Sequence, residues 1–593
     1  MKLDVSIEEK DDKVIVVYNK RKLIFNFNEL FESDMEFLGN CEIKIKGYET
    51  REINGKRSYL FTKNGKLYIT FQLNKILNRK SFMFSRITKK YVKFWGFYSD
   101  ISNKYKDCDN LYLNDKIVGK LKRPFKFSIF KNFAMGKIKV SDVLSSEEIH
   151  SNVMVGDKDG NFVSVRRKNP KKGINYYSRK RIGNKYLIVR STINNDRLKI
   201  VHIDMEPEYE RKNVFKMKLA YIISKIIGKK DIVLMFEKET NRACESGYYI
   251  FEKINQLKDL KSKVYFVINK NCNDYKKVKE KYPNRTLEKY SFKHYLYIFI
   301  SKYFVSSELS NHVINTRIYF RAINEELAKK PLIFLQHGIM FSKPVDNPAA
   351  SGFYKQSEQV NYYKAVISSE LEATQFYKCG FERSDLIKCG LPKFDVSVMD
   401  SDADKIMVML TYRFWEEALI MNNEHIKETS YYKTYMKIVK AFEKAGLLDK
   451  LVISCHPKFA KSLSSIDEKY SKVVQNDVTA ALKKAKIYIT DYSSASYDAH
   501  YRGAYIIYYW AEKDYLIEKY QAIPPINENN CDGVPVYSCD ELISEVKKAI
   551  KKNYKMDKKY EDRYKKINEY HDNKNGDRLV KELLKLKVIN LKK

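Results

Sequence analysis

The sequence predicts an α/β protein, two doubly wound lobes of parallel sheet and covering helices in series, preceded by a β-rich N-terminal domain. Three observations predict it. From residue 230 onward, short apolar runs alternate with amphipathic stretches of helical length, the rhythm of βαβ units. That rhythm breaks at the polar stretch KFDVSVMDSDAD, residues 393–404, and then starts again. Before residue 205 the segments are instead short, alternating and rich in Ile, Val, Tyr and Phe, with turn signals such as Asn54-Gly55 and Asn64-Gly65 between them. The implied division is 1–205 as a β-rich accessory domain, 206–395 as a first lobe, 396–550 as a second, and 551–593 as helices packing back. A chain of 593 residues suits three or four domains of ~150 residues each.

Composition narrows the class. The chain is 44% hydrophobic and 14% aromatic, enough to build large cores and too much for a disordered polymer. Its formal charge of +37 attracts polyanions without choosing among nucleic acid, anionic headgroups and a phosphate-bearing substrate. The nine cysteines are dispersed with no CxxC pair and no metal-ligand spacing, as expected of reduced thiols in a cytosolic protein. The opening MKLDVSIEEKDDK has no apolar core of a signal peptide. No run reaches the ~18 apolar residues of a membrane span; the nearest, 295–305, is short and contains Lys302.

In chain order, strands are expected at 13–18, 21–27, 41–48, 58–61 and 67–71, then at 161–166, 185–190 and 197–203. Between 79 and 139 the sequence turns basic and aromatic, in KKYVKFWGFYSD and KLKRPFKFSIFKNF. Interleaved cations and rings suit an anionic bilayer surface, single-stranded nucleic acid stacked on the rings, or edge strands with solvated lysines. A helix is expected at 213–228. The first lobe follows, with strands at 231–236, 263–268, 303–307, 331–336 and 365–369 and helices at 248–257 and 274–281. The second has strands at 406–410, 451–455, 487–490 and 505–509 and helices at 432–445, 478–485 and 494–502. Residues 540–593 read as charged amphipathic helices.

Four stretches stand at carboxyl ends of strands, where doubly wound sheets bind ligands. In the first, Gln336 and His337 leave a buried strand and Gly338 lets the backbone turn; a histidine there can serve as general base. In the second, Thr411-Tyr412-Arg413, the guanidinium suits bidentate phosphate contact. In the third, SCHPK, His456 ends a strand, Pro457 fixes its direction and Lys458 follows. The fourth is IYITDYSSASYD, residues 487–498. Asp491 sits in the turn after a strand, and Ser493 and Ser494 open a helix whose first amides lack internal acceptors. The serines can cap those amides or bind phosphate oxygens. Asp491 and Asp498 can meet ribose hydroxyls, orient a basic neighbour, or be structural, and the structural reading is favoured for Asp498.

Taken together, these stretches resemble the CDP-glycerol glycerophosphotransferase family, the teichoic-acid polymerases and primases of bacterial walls. The matching residues are Gln336-His337-Gly338, VISSE at 366–370, IKCGLPKFD at 387–395, Thr411-Tyr412-Arg413, His456-Pro457 and ITDYSSASYD at 489–498. Order and spacing agree over roughly residues 230–550. The resemblance implies a GT-B-like pair of Rossmann-type lobes and a CDP-glycerol or CDP-ribitol donor. It also implies a lipid-linked polyol-phosphate acceptor at the inner membrane face, so a peripheral membrane location. By motif, His337 becomes the base on the acceptor hydroxyl, while His456, Arg413, Ser493 and Ser494 hold the pyrophosphate. Family members often carry Trp-His-Gly-Thr and a Lys-rich segment, where this chain has QHGIMFSKPVDNP; Lys343 stands for the usual basic residue. No metal or cofactor is required by the sequence. The competing readings are a GT-B glycosyltransferase using a nucleotide sugar and a basic polyanion-binding protein without catalysis; no nucleic-acid module is recognisable.

Overall fold

The computed structural model describes residues 5–10, 13–18, 21–26, 35–40, 46–53, 56–63, 66–70, 81–98, 109–125, 133–146, 149–156, 162–165, 176–191, 197–347, 353–357, 359–416, 426–455 and 468–592. It divides into two compact units, Met1–Tyr209 and Glu210–Lys593.

The first unit is antiparallel β throughout its described sheets. Val5–Lys10, Lys13–Tyr18 and Arg21–Asn26 form a meander. Met35–Asn40, Lys66–Thr70, Lys56–Lys63 and Lys46–Ile53 form a second sheet in that spatial order. Of the expected strand at 41–48, residues 46–48 open Lys46–Ile53, and 41–45 lie outside the described residues. Ile53 pairs with Lys56 and Lys63 with Lys66, the tight registers that each Asn-Gly pair imposes. Ser81–Ile87, Tyr91–Tyr98 and Phe133–Lys139 pair side by side. Ile87, Val92, Phe94, Ala134 and Ile138 turn inward to a core shared with a larger sheet, through Leu111, Val153, Leu187 and Ile200. Alternation then sends Phe84, Trp95 and Met135 to the opposite face as one cross-strand rung, with Arg86, Lys93 and Lys137 on the next rung of that face. In its three paired strands the basic-aromatic stretch is therefore sheet, with an apolar inner face and an outer face that carries aromatic and cationic rungs together.

The second unit opens with helix α1, Arg211–Ile227. Seven parallel strands follow: β1 Ile232–Phe236, β2 Lys263–Ile268, β3 Thr286–Glu288, β4 Tyr303–Ser306, β5 Pro331–Phe334, β6 Asn361–Ile367 and β7 Leu386–Lys388. Their spatial order is β3-β2-β1-β4-β5-β6-β7. Helices α2 (Ser246–Asn255), α3 (Tyr275–Lys281), α4 (Phe292–Ile300), α5 (Arg321–Lys329) and α6 (Glu370–Lys378) make the crossovers. The apolar run near 295 is helix α4, packed against α1 and started by Ser291, whose side chain accepts from the His294 amide.

The second lobe has five parallel strands: β8 Lys405–Val408, β9 Leu451–Ile453, β10 Ala485–Thr490, β11 Tyr505–Tyr509 and β12 Val534–Val536, in the order β9-β8-β10-β11-β12. Every residue of β11 is buried, which is why it reads as a continuous apolar run without alternation. Its helices are α7 (Ser430–Lys444), α8 (Val478–Lys484), α9 (Ala495–Tyr501) and α10 (Lys513–Tyr520). Thr429 and Asp477 accept helix-start amides at α7 and α8. This pair of doubly wound lobes is GT-B-like.

Helices α11 (Cys539–Lys551), α12 (Lys558–Ile567) and α13 (Asn575–Lys585) close the chain. Tyr564 donates to the Tyr497 carbonyl in the second lobe, and Lys592 N donates to the Asp259 carbonyl in the first. Asp395 accepts both the Asn575 and Gly576 amides, tying α13 to the segment between the lobes.

Candidate active site

In each sheet the strand order reverses once, between β1 and β4 in the first lobe and between β8 and β10 in the second. Loops leaving such a reversal diverge and open a crevice. The loops after β1, β4 and β5 carry Glu237 to Glu239, Glu308 and His337. Those after β8 and β10 carry Thr411, Asp491, Ser493 and Ser494.

Gly338 is where the lobes touch. A Cβ on it would stand 3.2 Å from Ser494 Oγ and 3.7 Å from Asp498 Oδ2, so the glycine permits this approach. Lys393, from the short turn Pro392–Val396 that follows β7, pairs with Asp498 Oδ1 at 2.6 Å and donates to the main-chain oxygen of His337. Tyr497 OH donates to the Phe341 carbonyl at 2.9 Å. Thus α9 of the second lobe grips the loop that bears His337.

The His337 side chain is 48% exposed and ringed by charge. Its Nε2 lies 3.8 Å from Glu308 Oε1. Lys238 pairs with Glu245 at 2.9 Å, and Glu245 feels Lys393 and His337 as well. Against burial, which opposes ionisation, Lys393, Lys238 and His337 hold the Glu245 carboxyl down to about 2. The enclosing walls and Lys238 bring the His337 imidazole down to about 4, with Glu245 and Glu308 working the other way. His337 is therefore neutral near pH 7, the state in which an imidazole accepts a proton.

The supports beneath these groups are strained or buried. Gln336 has φ +62°, and Lys238, Glu239 and Thr240 have φ of +44°, +52° and +66°, a left-handed run costing roughly 1–2 kcal/mol per residue. Glu237, fully buried, accepts the Glu245 and Tyr248 amides at 2.6 and 2.9 Å, together with that of Cys244, and burial pushes its carboxyl up to about 8. Glu372 accepts the Met340 and Ser368 amides, both at 2.6 Å, and burial holds it up to about 7. Gln336 donates to the Val366 carbonyl. Lys343 is exposed on the loop beyond.

In the second lobe Asp491 is buried and directed inward. Its Oδ1 accepts the Thr411 amide and hydroxyl, both at 2.7 Å, and the Tyr492 amide at 2.6 Å. Burial raises its carboxyl above the ordinary range, opposed by Arg413 and the Thr411 bonds. Arg413 is only 1% exposed: it pairs with Glu512 at 2.6 Å, donates to Ser430 and lies between the Tyr431 and Tyr515 rings. Its guanidinium is engaged within the lobe, a different setting from the phosphate contact its position after β8 suggests. Ser493 N donates to Thr490 Oγ1 at 3.2 Å, and Ser493 Oγ accepts the Ala495 amide at 3.4 Å. Ser494 stands at the start of α9 without a side-chain cap bond. His456 and Lys458 lie outside the described residues.

The structure thus gathers His337, Gly338, Ser494 and Asp498. It adds Lys393, Glu245, Lys238 and Glu308, to which sequence reading gave no role. Glu308 had a usable signal, since it follows a buried strand at its carboxyl end as His337 does.

Residues 218–585 match the family described as CDP-Glycerol:Poly(glycerophosphate) glycerophosphotransferase. The minor teichoic acid biosynthesis protein GgaB of Bacillus subtilis (strain 168) is 24% identical over 430 residues, 66% of this chain and 44% of GgaB. The chain therefore spans under half the length of that curated relative. Among solved structures, the wall teichoic acid polymerase TagF aligns with TM-score 0.45 at 16% identity, covering 64% of this chain and 94% of that one. The Methanocaldococcus jannaschii UDP-GlcNAc 2-epimerase aligns with TM-score 0.36 at 12% identity, covering 60% of this chain and 99% of that one. With more than half of its length matched to that family, the chain belongs to the CDP-glycerol:poly(glycerophosphate) glycerophosphotransferases, a family of transferase enzymes.

Proposed function

We propose that the chain transfers a polyol phosphate, glycerol phosphate or ribitol phosphate, from a CDP-activated donor to a hydroxyl of a lipid-linked teichoic-acid-like or capsular acceptor, releasing CMP. The observation that carries this is the close approach of Gly338, next to a neutral, exposed His337, to Ser494 and Asp498 across the interlobe crevice, in a chain of this family. The acceptor oxygen attacks the β-phosphorus in line, the bond to CMP breaks, and CMP leaves with the electron pair. Such a transfer asks chiefly for positioning and charge neutralisation. His337 takes the hydroxyl proton. Lys393 and Lys238 supply positive charge beside it, each already paired with a carboxylate that a phosphate can displace. Thr411, Ser493 and Ser494 offer hydroxyls to the donor, and the family motif assigns His456 to the pyrophosphate. Asp491 and Arg413 act from within as the frame of that wall. The test is incubation with CDP-glycerol and CDP-ribitol separately, following CMP with and without a lipid-linked acceptor. Release of UDP from UDP-sugars, with no CMP from either donor, would overturn the reading.

A lipid-linked acceptor calls for a bilayer contact, and α1 supports one. Its inner face, Asn213, Met217, Ala220 and Ser224, is buried. The opposite face exposes Phe215 (67%), Ile222 (60%) and Ile226 (83%) with Leu219. Residues 211–230 contain seven Lys or Arg and no acid, so an apolar stripe lies between cationic flanks. That pattern fits an anionic lipid surface. Sedimentation with phosphatidylglycerol vesicles tests it: Phe215→Glu with Ile222→Glu should abolish binding, and equal binding to neutral phosphatidylcholine vesicles would overturn the electrostatic part.

A further inference from the structure

Among the described residues, the polar groups around Glu308 leave its Oε1 without a hydrogen bond and facing His337. Glu308 follows β4 at the strand-order reversal and is 6% exposed. Its Oε2 accepts the Glu239 amide at 2.7 Å and lies 3.1 Å from His312 Nδ1, while its own amide donates to Ser306 Oγ at 3.0 Å. The left-handed run at 238–240 is what turns the Glu239 amide toward it. Oε1 faces His337 Nε2 at 3.8 Å. Apo catalytic hydrogen bonds are commonly long and tighten when substrate binds. The carboxylate stays ionised: against burial, His312, His337 and the Glu239 amide hold it below the ordinary range.

We infer that Glu308 is the positioning residue of the transfer, holding neutral His337 as the Nε2–H tautomer so that Nδ1 is the atom that takes the acceptor's proton. This rests on the reading of His337 as base. As the acceptor oxygen bonds to phosphorus, its proton moves to Nδ1 and the P–O bond to CMP breaks with its electron pair on CMP. The imidazolium that results has its Nε2–H pointed at a fixed negative charge, and His312 braces that charge from behind. The other charged groups facing the ring are Lys238 and Glu245 from the loop after β1, Lys393 from the turn after β7, and Asp498 through Lys393. Lys238 with Glu245 and Lys393 with Asp498 form oppositely charged pairs, and among the described residues Glu308 is the carboxylate with an oxygen within 4.0 Å of the His337 ring.

The substitution Glu308→Gln separates orientation from packing. A glutamine carbonyl still accepts the Glu239 amide, but its NH2 then faces Nε2 as a donor and imposes the Nδ1–H tautomer, which cannot accept a proton at Nδ1. On the full chain, CMP release by Glu308→Gln should show kcat lowered about ten- to a hundredfold with KM for the CDP-polyol within about twofold, less than the ~10²–10⁴-fold contribution of the base itself. Glu308→Asp, which keeps the charge, should recover part of the rate. Nitrogen-15 NMR of labelled histidine, assigned by loss of signal in His337→Ala, should report Nε2–H in the wild type and Nδ1–H in Glu308→Gln. Wild-type kcat in Glu308→Gln, or one tautomer common to both proteins, would overturn the inference. Full activity in His337→Ala would instead remove the base reading, and the tautomer measurement tells the two failures apart.

Discussion

The two lobes present opposite electrostatics at equivalent places. At the reversal of the first sheet, Lys238, Glu245, Glu308 and Lys393 lie around a half-exposed His337. At the reversal of the second, the charges of Asp491, Arg413 and Glu512 turn inward, and hydroxyls and backbone face outward. A proton acceptor needs nearby charge to set its protonation state and hold its ring. A wall for an anionic donor gains from neutral hydrogen-bonding groups set on a rigid frame, because a buried ion pair fixes geometry without contacting the ligand. On the proposed function, this difference gives proton transfer to the first lobe and donor orientation to the second.

Replacing the exposed centre of the first lobe is the strongest way to break this comparison. His337→Ala should lower kcat for CMP release by ~10²–10⁴-fold with the thermal midpoint unchanged, since the ring fills no core. Because folding brings this imidazole below its ordinary value, to about 4, it stays unprotonated well below pH 6.5. The rate should therefore hold on mild acidification and fall only as pH drops toward that lower value, which a kcat/KM profile checks.

In the second lobe the largest effect should be on stability. Arg413→Met breaks the pair with Glu512 and should cost about 3 kcal/mol in denaturant unfolding. An intact fold with a raised donor KM would instead give Arg413 a ligand and erase the contrast. Lys393→Met leaves Asp498 buried without its 2.6 Å partner and should cost about 1–3 kcal/mol. It should also raise the donor KM, because the loop carrying His337 loses its tie to α9. The smallest effect is expected from Thr411→Val. It removes one of the two bonds from Thr411 to Asp491 and should cost about 0.5–1.5 kcal/mol, with little change in kcat.

Which strands and helices form was largely legible in the sequence. Tyr505–Tyr509 stands out as an apolar run, and Asn54-Gly55 announces a hairpin, because these signals are local. The helix over 292–300 and the short strands Thr286–Glu288 and Leu386–Lys388 were missed. The first reads as an undifferentiated apolar run, and three residues are too few to show a period. Residues 393–404 read from sequence as a polar break between the lobes, and they contain Lys393, the cation that joins the lobes at the site. A linker and a lobe-bridging turn share the same polar composition, and only the fold distinguishes them.

By itself the sequence determined the sequence of elements, the two-lobed parallel architecture and the positions of the strand-end motifs, since period and turn chemistry depend on near neighbours. Tertiary structure alone decided which charges share a space. Glu308 and His337 are 29 residues apart, and Lys393 and Asp498 are 105 apart. Glu308 and His337 meet because parallel strands deliver their carboxyl ends to one side of a sheet, and Lys393 and Asp498 because the two lobes pack together there. Coulomb interaction depends on distance through space and on burial, neither of which is written in the order of residues along the chain.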